Sequence, residues 1–232
     1  MTADSLILLA REYLGDKVQP YLWSDSFLLG ALNRAEQEAA VRTLCFNDET
    51  TDAVTKISVL ANTATYTLDS RVIRVDALLY DGAPLTHVDP DDLSGIEGNE
   101  WRDQTGTPTY WFCDGRKITL VPKPITTATV RLKAKRLPLV DMTLAANPNA
   151  SPEIESYLHR HLLHWVCWEA HQIIDSDVAR PDWAMNQLAQ FERVFGPQVS
   201  ARVQIHQRRS PRTLTHAPAP YVSRRTTSDE DW

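Results

Sequence analysis

The chain has 232 residues, 43% of them apolar, which is enough to bury a core in one large or two small domains. Its cysteines, Cys45, Cys113 and Cys167, form no C-x-x-C pair, which argues against a disulfide framework or zinc ribbon and predicts buried thiols in a reducing compartment. No basic segment precedes the apolar residues 6–9, and no apolar run approaches the ~18 residues of a membrane span. We expect a soluble, unexported protein with no membrane partner.

The net charge of −6 is unevenly distributed along the chain. Residues 202–232 contain six arginines and three acids, so they carry +3 and leave −9 for the rest. A nucleic-acid-binding domain usually spreads positive charge over a folded face, which differs from an acidic body with a basic tail.

Two helices are predicted at the start of the chain. Apolar side chains recur at helical spacing over residues 4–14, and Gly15 follows as a C-cap. The second helix, about 25–46, begins after Ser24, a good N-cap, and its apolar positions recur at steps of four and three.

Strands are predicted between Val54 and Leu139, where short alternating segments are rich in Val, Ile, Thr and aromatic residues. Asp81-Gly82 and Asp114-Gly115 each lie between apolar runs, as two-residue hairpin turns do, although Pro84 weakens the first prediction. In the strand predicted over 129–135, one face is apolar and the other carries three positive charges. That charged face could meet solvent, an acidic neighbour or DNA.

Two further helices are predicted at about 153–176, with Pro152 at its start, and from Arg180-Pro181 to Gly196-Pro197. The economical fold is α+β, with an antiparallel helical bundle formed by the N- and C-terminal helices and an inserted β-rich antiparallel sheet domain. The predicted boundaries are 1–47 and 152–196 for the bundle, 48–151 for the insertion and 197–232 for an extended C-terminal arm.

No motif that holds phosphate, positions a nucleophile or binds catalytic zinc occurs in the sequence. The best metal candidates share one predicted helical face, but the outer two lie about 16 Å apart along the axis, so only adjacent members could share an ion. These candidates are His164, Cys167, His171 and Asp175. We interpret them as packing or surface residues and expect no metal, no cofactor and no catalytic residues.

The acidic stretch from Asp89 to Glu100 has the spacing of a calcium loop only in part, because Leu93 and Ser94 occupy positions that need an oxygen ligand and a glycine. The preferred interpretation is that Asp89 caps a helical turn that begins at Pro90. The carboxylate pairs that could serve a hydrolase are interpreted as solvated surface acids. They are Asp175 with Asp177, and Glu97 with Glu100.

Five segments in succession carry a family resemblance. They are PYLWSDSFLLGALNRAEQEAAVRT (20–43), ATYTLDSRVIRVDALLYDG (64–82), TGTPTYWFCDGRKITLVPKP (105–124), RLPLVDM (136–142) and PEIESYLHRHLLHWVCWEAHQIIDSDVARPDWAMNQLAQFERVFG (152–196). Their order resembles that of the head-to-tail adaptor, or connector, proteins of tailed bacteriophages. The arm at 197–232 lies outside the resemblance.

The resemblance implies a structural protein of the virion neck, assembled in the host cytoplasm, with no enzymatic activity. It implies a homo-oligomeric ring, commonly of twelve copies, seated on the dodecameric portal protein and joined to tail or nozzle proteins. Genomic DNA would pass through the ring without sequence-specific binding. Such a ring needs lateral contacts and two docking faces rather than chemistry.

The C-terminal arm is predicted to bind the portal or a neighbouring subunit. Its contact residues are expected to be Arg202, Arg208, Arg209, Arg212, Tyr221, Arg224, Arg225 and Trp232. Arginines form forked bonds with carboxylates, and aromatic side chains anchor in pockets. Plain disorder is the interpretation that composition alone favours. The functional alternatives are a nucleic-acid-binding packaging accessory that uses this Arg-rich tail, and an enzyme such as a virion-associated hydrolase.

Overall fold

The structure, a computed structural model, has the predicted α+β class with several antiparallel sheets. It describes residues 1–97, 100–144, 147, 149–172, 180–201 and 203–204. Among these residues no helix is long and apolar enough to cross a bilayer.

The caps predicted at Gly15 and Ser24 are present in the first two helices. In α1, Ala3–Leu14, the Thr2 hydroxyl accepts a hydrogen bond from the Ser5 N–H, and Gly15 closes the helix with φ 73°. In α2, Asp25–Thr43, the Ser24 hydroxyl accepts from the Phe27 N–H. Helix α2 ends three residues before the predicted end at 46, because Leu44 adopts a left-handed conformation with φ 52°.

Three sheets follow the second helix. The largest has the order β1-β11-β4-β5 with β2 also on β11, all antiparallel, from Asn47–Asp48 (β1), Lys56–Val59 (β2), Val72–Tyr80 (β4), Ala83–Pro84 (β5) and Ala128–Arg136 (β11). The second has the order β3-β9-β8-β6, from Thr65–Thr67 (β3), Thr86–His87 (β6), Tyr110–Asp114 (β8) and Lys117–Val121 (β9), with β6 parallel to β8. In the third, Thr105–Gly106 (β7) runs parallel to Lys123–Pro124 (β10). Two short helices also lie in this region, Asp52–Thr55 (α3) and Pro90–Glu97 (α4).

Both predicted hairpins are present. Asp81 and Gly82 have φ 46° and 85°, as the two central residues of a type I′ turn require, and Pro84 is accommodated because β5 is short and at the edge of its sheet. The second turn lies one residue later than predicted, since Asp114 still pairs with Lys117. Strand β11 shows the predicted alternation, with Val130, Leu132 and Ala134 buried on one face.

The long helix predicted over 153–176 is wrong in its first half. A 3-10 helix spans Ser156–His161, and α5 spans only Leu162–Ala170. Tertiary bonds hold the preceding residues outside a helix, because the Glu153 carboxylate accepts from the Leu139 N–H and the Ile154 N–H donates to Glu36. Residues 173–176 lie outside the described residues.

The last helix, α6, spans Pro181–Phe195, with Pro181 in the first turn and Gly196 at the C-cap, as predicted. Helices α1, α2, α5 and α6 contribute to one apolar core, which also takes in Trp23, Met142 and Ile154. The sheets enclose a second core around Leu78, Trp111 and Leu132. The antiparallel bundle and the domain boundaries stay predictions.

The cysteines depart in one respect from the sequence prediction. Cys113 and Cys167 are buried thiols, but Cys45 is exposed, because it lies in the short connection between α2 and β1.

Phe191 should be the most sensitive position of α6. Its ring is fully buried and lies 5.2 Å from Trp165 and 4.6 Å from Phe195. We expect Phe191→Ala to lower the free energy of unfolding by about 3–5 kcal/mol in urea titrations. Met185→Ala, at a 57% exposed position of the same helix, should change it by no more than about 0.5 kcal/mol. Equal effects of the two substitutions would contradict this assignment of the core.

Candidate interaction surfaces

All eight partner-binding residues predicted in the arm lie outside the described residues. They are Arg202, Arg208, Arg209, Arg212, Tyr221, Arg224, Arg225 and Trp232. Their role stays a prediction, and the surfaces that can be built from atoms upward belong to the body.

The basic face of β11 meets acidic side chains of the same chain. The ion pairs are Arg131–Asp52 at 3.0 Å, Lys133–Glu49 at 3.7 Å and Lys135–Asp76 at 4.0 Å. The sequence left solvent, an acidic neighbour or DNA as partners of this face. In the structure the partners are acidic side chains of the same protomer. The neighbouring carboxylates offset the positive charge that the strand would otherwise offer to phosphate groups.

A buried ion-pair cluster joins the sheet to the helices. The Arg136 Nε lies 2.5 Å from a carboxylate oxygen of Asp48, and its Nη1 donates to Glu153 at 3.0 Å. The second Arg136 Nη also pairs with Glu153, so the guanidinium makes a two-pronged contact. Because Arg136 and Asp48 are both buried, removing either partner would leave a charge without compensation.

The surroundings of this cluster shift the pKa of its acids. Burial alone would raise the pKa of Asp48, but hydrogen bonds from Thr51, Arg136 and Thr50 outweigh it and lower the pKa to about 2. Burial likewise opposes the effect of Arg136 on Glu153, whose pKa is nevertheless lowered. Burial raises the pKa of Glu36, which accepts the hydrogen bond from Ile154.

Arg11 forms a second ion-pair cluster, which the sequence did not reveal; Arg11 and Asp16 are buried, and Asp25 is exposed. It lies 2.6 Å from both Asp16 and Asp25, and its guanidinium stacks 3.7 Å above the Tyr21 ring. The sequence contains one signal that could have predicted this cluster. Arg11 lies four positions after Ile7, on the apolar face of α1, and the acids Asp16 and Asp25 follow it. Exposed Leu8 lines the groove beside this cluster.

A cleft of about 390 Å³ lies beside α4, and we call it the α4 cleft. Asp89, Asp91 and Asp114 contribute carboxylates to its lining, and Trp101 and Phe112 contribute aromatic rings. A second cleft of about 310 Å³ shares the wall formed by these two rings. An acidic rim around aromatic walls suits a cationic ligand with flat or apolar groups.

Trp101 is the central wall of the α4 cleft. Only 4% of it is exposed, its ring packs edge-on to Phe112 with centroids 5.8 Å apart, and the Arg102 guanidinium lies 4.2 Å from the ring centroid. Its indole Nε1 is buried and has no hydrogen-bond partner within the described part of the chain. A buried N–H without an acceptor can still donate a hydrogen bond, and leaving it unsatisfied costs free energy.

The residues considered as metal ligands have other surroundings. His164 is hydrogen-bonded to Gln187 at 2.8 Å, burial raises the pKa of Cys167 to about 12, and His171 packs edge-on to Trp183. Asp175 and Asp177 lie outside the described residues. No group of three or more ligating side chains converges within the described part of the chain.

The calcium-like stretch from Asp89 to Glu100 contains the whole of α4, Pro90–Glu97. The Asp89 carboxylate accepts the Asp91 N–H at 3.1 Å, which confirms the capping interpretation, although the helix runs for eight residues rather than one turn. Glu100 lies beyond the end of that helix.

One family matches this chain. The sequence model described as SU10 adaptor protein matches residues 1–217, which includes every helix and strand given above and extends into the predicted arm. A comparison with curated proteins finds no match.

Stability should fall in acid through Asp48. A carboxylate with a lowered folded pKa stabilises the fold above its unfolded pKa, and this contribution disappears as the pH falls through the folded value. From an ordinary value near 3.8 to about 2, the contribution is about 2 kcal/mol, lost between about pH 4 and pH 2. Urea titrations across that range should show a shallower pH dependence for Asp48→Asn than for the wild type.

The matched control is Asp103→Asn. That carboxylate is 91% exposed and lies 3.3 Å from Lys123, so its removal should leave the wild-type pH dependence in place. An Asp48→Asn curve parallel to the wild-type curve would show that the Arg136 cluster does not carry the acid sensitivity.

Proposed function

Because the chain belongs to the SU10 adaptor protein family, and so is a phage structural adaptor as its sequence resemblance implied, we propose that it forms a ring that joins the portal to the tail. The ring is homo-oligomeric, commonly of twelve copies, and contacts tail or nozzle proteins on the side away from the portal. The observation that carries this proposal is the family match over residues 1–217.

In the proposed ring, genomic DNA passes through the central channel without sequence-specific binding. Two features support this role. The chain before residue 202 carries −9, and like charges repel the phosphate backbone. The basic face of β11 is offset by Glu49, Asp52 and Asp76 within the protomer.

A non-catalytic role is part of the proposal. The buried charged groups that the structure describes connect segments to one another: Arg11 holds the α1–α2 connection, and Arg136 joins the sheet to Glu153, in the segment that leads to the 3-10 helix. Helices α1, α2, α5 and α6, with their shared core, are proposed to form an antiparallel bundle that supplies the lateral contacts of the ring.

The C-terminal arm is proposed to secure the ring on the portal or on a neighbouring subunit. Its six arginines suit carboxylate partners, and Tyr221 and Trp232 can fill pockets. An arm of 36 residues spans at most ~120 Å when extended, which is enough to reach past an adjacent subunit.

Deletion of residues 205–232 should abolish the complex with portal rings. Because both cores lie before residue 205, the truncated chain should unfold at the wild-type urea midpoint. Sedimentation with purified portal rings measures the complex. Arg193→Glu, at an exposed position of α6, is the control for a change of charge outside the arm. A truncated chain that still sediments with the portal would contradict a role of the arm in attachment.

The nucleic-acid-binding alternative makes a different prediction. For an adaptor we expect no retardation of duplex DNA by the full chain at either about 50 mM or about 200 mM salt. A packaging accessory using the Arg-rich tail would retard DNA and would lose about 10³-fold or more in affinity between those concentrations. Retardation that disappears on deletion of residues 205–232 would favour this alternative over the adaptor ring.

A further inference from the structure

We infer that the α4 cleft binds the proline-rich part of the C-terminal arm, residues 211–225, from a second copy of this chain. The inference rests on the proposed ring and names the partner of the arm within it. Three independent features point to this occupant: the charge of the cleft, the unpartnered indole of Trp101, and the sequence of the arm.

The cleft and the arm have complementary charge. The cleft lining contains three carboxylates, Asp89, Asp91 and Asp114, and one guanidinium, Arg102. Residues 211–225 contain three arginines and no acid. Arginine pairs with carboxylates through forked hydrogen bonds and also stacks on aromatic rings, and this cleft provides both kinds of partner.

The aromatic wall suits a proline-rich strand. Proline-rich segments dock in grooves lined by aromatic side chains, since their preformed extended conformation loses little entropy on binding. Pro211, Pro218 and Pro220 occupy the arm, and Tyr221 follows them. Trp101 and Phe112 stand between two adjacent clefts of about 390 and 310 Å³, so successive side chains of an extended segment could enter either side.

Trp101 supplies a directional contact for such a segment. Its Nε1–H is buried and has no acceptor among the residues that the structure describes. Tryptophan can only donate at this position, and every proline keeps its backbone carbonyl as an acceptor. Because this N–H is buried in the protomer, the wall of the cleft must shift on binding for a carbonyl of the arm to accept from the indole.

The arm can extend far from the body that carries it. Pro218 lies fourteen positions after Gln204, the last described residue, and a chain of that length spans up to about 50 Å when extended. An arm of one copy in the cleft of the next is a head-to-tail contact, which is the type that generates closed rings.

Photo-crosslinking in the portal complex tests this contact. Asp103 follows Arg102 and pairs with Lys123, which lines the second cleft, so Asp103→p-benzoylphenylalanine places a probe there without changing Trp101. Isotopically light and heavy full-length copies are mixed, assembled on portal rings, irradiated and digested. Mass spectrometry should find cross-links to residues 211–225, predominantly between light and heavy copies. The matched probe, Tyr157→p-benzoylphenylalanine at a 73% exposed position, should give none to the arm.

Two variants connect the cross-link to the proposed chemistry. Trp101→Phe keeps an aromatic ring but removes the N–H, and should lower the cross-link yield about fivefold, as expected for one hydrogen bond. Pro218→Ala with Pro220→Ala, which leaves the body unchanged, should lower it at least about threefold. Thr226→Ala with Thr227→Ala, beyond the bound segment, should have no effect.

The outcomes separate this inference from the proposed function. Cross-links that map outside the arm, links confined to one and the same copy, or yields insensitive to both Trp101→Phe and the proline substitutions would overturn the inference. If the complex with portal rings forms in those cases, the proposed adaptor function stands. If no complex forms at all, the proposed function fails and the inference fails with it.

Discussion

The guanidinium of Arg136 holds the sheet against the helices, because it bonds carboxylates from both sides of their junction. Asp48 comes from β1 at the point where the chain leaves α2, and Glu153 from the segment that leads back to α5. Glu36 of α2 accepts a hydrogen bond from the N–H of Ile154, the residue after Glu153. Arg136 and Asp48 are buried, so each charge needs the other to be stable, and their pairing fixes how the two cores are joined.

Local signals predicted the parts of the fold that depend on neighbouring residues. The caps at Ser24 and Gly15, the turn at Asp81-Gly82 and the two-faced pattern of β11 all follow from the conformational preferences of a few adjacent residues. Each is present in the structure within one residue. The α+β class follows from the same signals, because helices and strands segregate along the chain.

Contacts between residues far apart along the chain could not be predicted from the sequence. The helical propensity of residues 153–161 is overridden by bonds from Glu36, Leu139 and Arg136, which lie far away along the chain. The α4 cleft likewise combines Asp89 with Trp101 and Phe112 from separate segments, and no spacing rule connects them. The arm was singled out by composition alone, and its contact residues lie outside the described part of the chain.

The Asp48–Arg136 contact also bears on how the family can diversify. Since these residues touch at 2.5 Å, the chain leaves the helical core and returns to it at one point, and everything from residue 49 to 135 is a closed loop on that anchor. A loop whose ends already meet can lengthen, shorten or exchange its strands without displacing the helices, at a closure cost that grows only logarithmically with length. By this argument we expect a change in the length of the β-rich region to leave the helical core in place.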